Sequence, residues 1–180
     1  MKAYIFLAEG FEEIEAIAPI DIFRRAEINV STISMSENKT VNGSHGIPVV
    51  ADNLFSEIDF SDNDILYLPG GMPGTKNLEN HEGLKQLILK QVMENKNIAA
   101  ICAAPSILGK MGLLDGKEAI CYPGFENQLV GAILSVNKIA KSGNILTAKG
   151  AGVAVQFALK LVEELKGRNI AEKVAQLICI

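Results

Sequence analysis

Three short apolar runs constrain the fold of this 180-residue chain more than any other feature. Lys2–Leu7, residues 64–68 and Asn97–Ile101 each have the length of a strand rather than of a buried helix, and each gives way to small or turn-forming residues. Nearly continuous hydrophobicity of this kind marks strands covered on both faces, as in a parallel sheet. Segments with helical periodicity lie between them. Residues 12–26 begin acidic and end basic, as the helix dipole prefers, and residues 81–93 place Leu84, Leu87, Ile88 and Val92 on one face. Gly150, Ala151 and Gly152 open the longest helix, with a core stripe of Ala154, Phe157, Ala158, Leu161 and Leu165, and Gly167 closes it. Asn169 and Glu172 have the spacing of a capping box for a last helix through Leu177.

Further strands are predicted over residues 29–35, 118–122, 132–136, 138–141 and 145–148, with an edge strand over 47–51 that contains Pro48. Residues 36–44 read as a loop or short edge hairpin, and residues 54–58 as a helical turn. Strands alternating with helices predict an α/β fold: a doubly wound, mostly parallel sheet with helices on both faces. No repeat, low-complexity run or linker interrupts the order, so residues 1–180 are expected to form one domain.

Composition narrows the function. Hydrophobic residues make up 48% of the chain and charged residues 21%, as in a compact soluble protein. A net charge of −4 leaves no basic footprint for nucleic acid. No stretch has the length of a membrane helix, and the first apolar run meets Glu9 too early for a signal peptide, so a cytoplasmic location is expected. Three cysteines without a Cys-x-x-Cys spacing argue against a disulfide framework and against a structural metal site. Neither a Walker A loop nor a Gly-x-Gly-x-x-Gly turn is present, which discounts a nucleotide cofactor.

In parallel sheets ligands bind beyond the carboxyl ends of the strands. Three candidate segments follow predicted strands and should gather there. The first is the run from Asn97 into Cys102, Ala103, Ala104 and Pro105, where small residues suit a sharp strand-to-helix elbow and Pro105 suits the first turn of a helix. At a helix N-terminus Cys102 would be favoured as the thiolate; the alternative is a cysteine that acts only as a small buried hydrophobe. The second is Glu15. Pro19, four residues on, cannot donate to its carbonyl and should kink the helix, while Ile14, Ile17 and Ile20 surround it with apolar groups. A carboxyl held so would stay protonated and donate a hydrogen bond to an anion, the alternative being simple exposure; Glu12 and Glu13 read as solvated charge. The third is the Gly70-Gly71 pair, whose N–H groups can approach a ligand closely. His45 reads either as a ligand or base or as a solvated loop residue, His81 as surface, and Cys121 and Cys179 as incidental.

Taken together, Leu7 to Ala16, Leu68-Pro69-Gly70-Gly71 and Ala99 to Pro105 resemble the ThiJ/PfpI superfamily, and within it the DJ-one branch; Thr147 to Gly152 match its closing segment. The resemblance implies a flavodoxin-like α/β/α sandwich, usually a homodimer, with no required cofactor. It implies that Cys102 is the reactive cysteine, Glu15 the protonated carboxyl beside it, and the N–H groups of Gly71 and Ala103 the oxyanion donors. Arg25 and His45 fall near positions used around the dimer interface, and His45 stands where many relatives have arginine. Tyr122 occupies the position where many members place a histidine, and a phenol, with an ordinary pKa of about 10, is a poor general base at neutral pH, so a Cys-His protease is disfavoured.

Two functions use these residues. In one, Cys102 attacks a small α-oxoaldehyde such as methylglyoxal, or its adduct on a thiol or amine, and Glu15 moves the proton that yields a hydroxy acid, which is the glyoxalase and deglycase activity the resemblance implies. In the other, Cys102 is a redox sensor, or the switch of a redox-regulated chaperone, oxidised to a sulfinate that Glu15 holds.

Overall fold

The structure is a computed structural model describing residues 1–180. In chain order, β1 (Lys2–Leu7), α1 (Glu13–Arg25) and β2 (Asn29–Ser34) are followed by the hairpin β3 (Thr40–Asn42) and β4 (Pro48–Val50), and by β5 (Asn53–Leu54). Then come β6 (Ile65–Leu68), α2 (Gly74–Glu79), α3 (Glu82–Met93), β7 (Asn97–Ile101), α4 (Pro105–Lys110), β8 (Glu118–Ala119) and β9 (Ile133–Leu134). The chain ends with β10 (Ile139–Ser142), β11 (Ile145–Ala148), α5 (Ala154–Lys166) and α6 (Arg168–Leu177).

Seven strands form the main sheet in the order β10-β11-β7-β6-β1-β2-β5, all parallel except β10, which returns antiparallel on β11. The inner order β2-β1-β6-β7-β11 is the flavodoxin arrangement, and its switch point falls between β1 and β6, where the chain reverses its winding direction. Alternation along the strands divides the core. Ala3, Ile5 and Leu7 of β1, with Tyr67 of β6 and Ile101 of β7, pack under α1, α5 and α6 through Ala16, Phe23, Phe157 and Leu161. Tyr4, Phe6, Leu66 and Leu68 face the other way, against Leu84, Leu87 and Ile88 of α3 and Ile107 and Leu108 of α4. The expected helices on both faces are present. No helix is long and apolar enough to cross a membrane.

Several expectations change in detail. The predicted strand over 118–122 keeps only β8, because the chain leaves it to pass beside Cys102, where the Tyr122 N–H donates to the Cys102 carbonyl at 2.8 Å. The capping box does not form: Gly167 is the N-cap of α6, and Glu172 pairs with Arg168 at 2.6 Å instead. Ile14 and Ile17 do not shelter Glu15. They face outward, 56% and 42% exposed, and Glu15 is buried by the opposite side of α1 against the sheet. Glu13 is not solvated either. It is buried beneath the β3–β4 hairpin, with Oε1 accepting from the His45 N–H at 2.7 Å and Oε2 facing His45 Nδ1 at 2.8 Å.

The proline inside α1 shows how helix and sheet are joined. Pro19 leaves the Glu15 carbonyl without its helical partner. The Tyr67 hydroxyl, fully buried in β6, donates to that carbonyl at 2.9 Å. Tyr67→Phe orphans the carbonyl and should cost about 1–2 kcal/mol in urea unfolding. In a Pro19→Ala background the restored N–H takes over, so the same change should cost less than half as much; equal losses in both backgrounds would refute this role.

Candidate functional site

The three segments singled out by sequence meet at the carboxyl edge of the sheet, beside the switch point. β7 ends in a sharp elbow at Cys102, whose φ of 64° is left-handed and unusual for a residue with a side chain. Its N–H donates to the Ala148 carbonyl of β11 at 2.9 Å, which fixes the elbow to the neighbouring strand. Glu15, in the first turn of α1, is fully buried, and its Oε2 accepts from the Gly70 N–H at 2.9 Å. Only glycine fits at Gly70: a Cβ would stand 2.6 Å from Cys102 Cβ and 2.7 Å from Glu15 Oε2. Gly71 is held at a φ of 91° and turns its N–H toward the Cys102 sulfur, as does Ala103.

The electrostatics of the pair differ from the expected thiolate beside a protonated Glu15. Burial first, then the charge of Glu15 and the hydrogen bond with it, push the Cys102 thiol up to about 12, against the opposing N–H groups of Ala103 and Gly71. The helix behind the elbow, α4, has only six residues, so its dipole adds little. Burial raises the Glu15 carboxyl to about 7; the Cys102 thiol and the Gly70 and Ala151 N–H groups favour its charge, and Glu12 disfavours it. Glu15 Oε1 is buried without a hydrogen-bond partner, whereas Oε2 lies on the Gly70 side, next to Cys102. Above a pH of about 7 the two groups hold one proton and one negative charge between them. A thiolate at Cys102 forms when that proton passes from sulfur to carboxyl.

The other candidates stand apart from this pair. Arg25 lies at the far end of α1 and pairs with Asp21 at 2.7 Å. His45 pairs with Glu13, which raises the His45 pKa; burial opposes the charge of Glu13, but the bonds from the His45 ring and N–H prevail and hold that carboxyl at about 2. Tyr122 is half exposed, with its ring against Gly150. Neither histidine borders the sulfur, since His81 caps α3 through Leu84 N–H at 3.1 Å. Sequence reasoning missed Ala151 and Tyr67. Both left a signal: Ala151 follows β11 as Gly70 follows β6, and Tyr67 answers the carbonyl that Pro19 frees.

Residues 1–164 match the DJ-1/PfpI family. The chain belongs to that family. A DJ-1/PfpI relative, glutathione-independent glyoxalase DJ-1 of Schizosaccharomyces pombe, is 31% identical over 179 residues, covering 94% of this chain and 93% of that one. Protein DJ-1 homolog B of Arabidopsis thaliana is 39% identical over 97% of this chain, which spans only 40% of that protein's length. Among solved structures, oxidized Toxoplasma gondii DJ-1 superposes with a TM-score of 0.94 at 35% identity, covering 98% of this chain and 97% of that one.

The shared proton has a measurable consequence. Below a pH of about 7 both groups are protonated, and above it the pair carries the charge that makes thiolate accessible. Alkylation of Cys102 by iodoacetamide, followed by mass spectrometry, should therefore rise through about pH 7 and level off. In Glu15→Gln the plateau should vanish and the rate should climb through pH 9, as for an isolated thiol, roughly. A midpoint unmoved by that substitution would show that Glu15 does not govern the sulfur.

Proposed function

We propose that residues 1–180 form one functional domain, a cofactor-independent, cysteine-dependent enzyme of the glyoxalase or deglycase type that turns small α-oxoaldehydes such as methylglyoxal, or their thiol and amine adducts, into hydroxy acids, as part of a response to carbonyl and oxidative stress. The observation that carries this reading is a buried carboxyl with one uncommitted oxygen beside a thiol that two backbone N–H groups face. Similarity to the fission-yeast protein named a glyoxalase supports it.

The Glu15 carboxylate takes the thiol proton, and the sulfur attacks the aldehyde carbon. The oxygen of the resulting hemithioacetal is received by the N–H groups of Gly71 and Ala103. Glu15, having passed its proton to that oxygen, removes the hydrogen of the former aldehyde carbon and returns it to the neighbouring carbon, while the hydroxyl proton passes from the first oxygen to the ketone oxygen, so that the ketone becomes an alcohol and the hemithioacetal becomes a thioester. Water then releases the hydroxy acid and restores the thiol. A Cys-His protease route lacks its base, because His45 is engaged by Glu13 and His81 caps a helix.

A second reading rests on the same observation: a protonated Glu15 could donate to a sulfinate on Cys102, as a peroxide sensor or redox-regulated chaperone requires. Stoichiometry separates the two. With limiting protein and methylglyoxal, many equivalents of lactate should form. Cys102→Ser should abolish turnover, and Glu15→Gln should lower kcat/KM by about a hundredfold or more. Lactate no greater than the amount of protein, together with two oxygens added at Cys102 by mild peroxide, would select the sensor instead.

The proposed assembly is a homodimer. Ile17 of α1 and Val50 of the β3–β4 hairpin are exposed and line one groove, and Ile14 and Ile47, in the same two segments, are also exposed; a second copy would cover them. His45 adjoins this face through the Glu13 clasp, whereas Arg25 reaches only Asp21. Ile17→Asp combined with Ile47→Asp should convert a dimer to a monomer in sedimentation velocity; a wild-type monomer would refute the assembly.

A further inference from the structure

Beyond the end of β11, a cavity of about 420 Å³ opens between Tyr122, Pro123, Lys138 and the loop from Lys149 to Val153. It lies against the Glu15–Cys102 pair, because the Ala151 N–H favours the Glu15 charge and the Tyr122 N–H donates to the Cys102 carbonyl. No carboxylate lines it. Lys138 and Lys149 have no acid partner, a state they share with Lys76, Lys117, Lys166 and Lys173, but they alone line this cavity together. The register of β10 on β11, continued by one pair beyond Ile139 and Ala148, sets these two lysines directly opposite each other, with the Lys149 N–H donating to the Lys138 carbonyl at 2.9 Å. Like charges facing each other across a ladder are unfavourable unless an anion lies between them.

We propose that this cavity is an anion-binding pocket, and that the preferred α-oxoaldehydes carry a terminal anionic group received by Lys138 and Lys149 while the aldehyde faces Cys102. The inference rests on the reading of the site as an α-oxoaldehyde enzyme and names its substrate class. The backbone of Gly150 and Gly152, bare of side chains, lets an extended substrate lie between the sulfur and the lysines.

The probe is 4,5-dioxopentanoate, compared with its methyl ester, which has the same dicarbonyl without the charge. Addition of one water gives 2-hydroxyglutarate: the aldehyde carbon is oxidised to a carboxylate, the ketone is reduced to an alcohol, and no outside oxidant is required. The acid should exceed the ester in kcat/KM by roughly five- to tenfold at low ionic strength, and salt should erode the difference. Lys138→Gln with Lys149→Gln should bring the ratio close to one, and Lys138→Arg with Lys149→Arg should preserve it. A wild-type ratio near one, or a ratio the double glutamine variant leaves unchanged, overturns the pocket while methylglyoxal turnover still upholds the enzyme. If none of the aldehydes turns over, the enzyme reading fails. Calorimetric titration of 2-hydroxyglutarate onto Cys102→Ser protein then decides the pocket by itself. A roughly fivefold or greater weakening by the double glutamine substitution sustains it, and no binding or an equal affinity sinks it.

Discussion

The site at this edge of the sheet depends on the buried Glu15 carboxyl and the Cys102 thiol lying next to each other, each altering the other's ionisation. Taken alone, neither group would be reactive at neutral pH, since burial would leave the carboxyl neutral and inert and would put the thiol beyond the reach of ionisation there. Side by side, they divide a single charge. The shift of Glu15 from 4.5 to about 7 corresponds to a preference for the neutral form on the order of 3 kcal/mol, and in the proposed reaction that shift would match it to act as a base near neutral pH.

Such a group must be held by something stronger than itself. The backbone of Glu15 is fastened on both sides of its Cα: its N–H donates to Glu12 Oε2 at 2.7 Å and its carbonyl accepts from Tyr67. Pro19 makes the second contact available and Tyr67 makes it rigid, since that phenol is fully buried within β6. The same strand leads to Gly70, whose N–H holds Oε2. One strand therefore positions both the backbone and the carboxyl of Glu15, while its neighbour β7 delivers the sulfur. This is the advantage of a switch point: β1, β6 and β7 lie side by side, so the segments that follow them converge without a long loop.

The fold was legible in the sequence because its information is local and repetitive. Apolar runs of strand length and the stripe on α5 specify layers regardless of how they pair, and small or glycine residues after each strand mark the ligand edge. The candidate site was legible for the same reason at Gly70 and Cys102, where a junction limits which residues fit. What periodicity could not convey was which side of α1 faces inward. Ile14 and Ile17 suggest an apolar cover for Glu15, yet the helix turns them outward and buries the two acids Glu13 and Glu15. Charge position alone was equally silent on the thiol, because the balance between burial and two amide groups depends on depth, which no motif encodes. Tyr122 shows the reverse case: its position in the order was clear, but its strand dissolves because the backbone is drawn to Cys102.

The crowding of acids at the start of α1 then has a physical explanation. An N-terminus offers unpaired amides and positive potential that would pull a carboxyl's pKa downward. Glu12 takes the amide that Glu15 itself exposes, and its charge disfavours a second one nearby. Glu13 is drawn away to the hairpin, where His45 and the Ile47 N–H hold it ionised. Glu12 thus occupies the helix-end amide of residue 15, leaving the Glu15 carboxyl to the sulfur, to Gly70 and to Ala151. Glu15 remains protonatable near neutrality chiefly because it is buried, with the Glu12 charge a smaller contribution in the same direction.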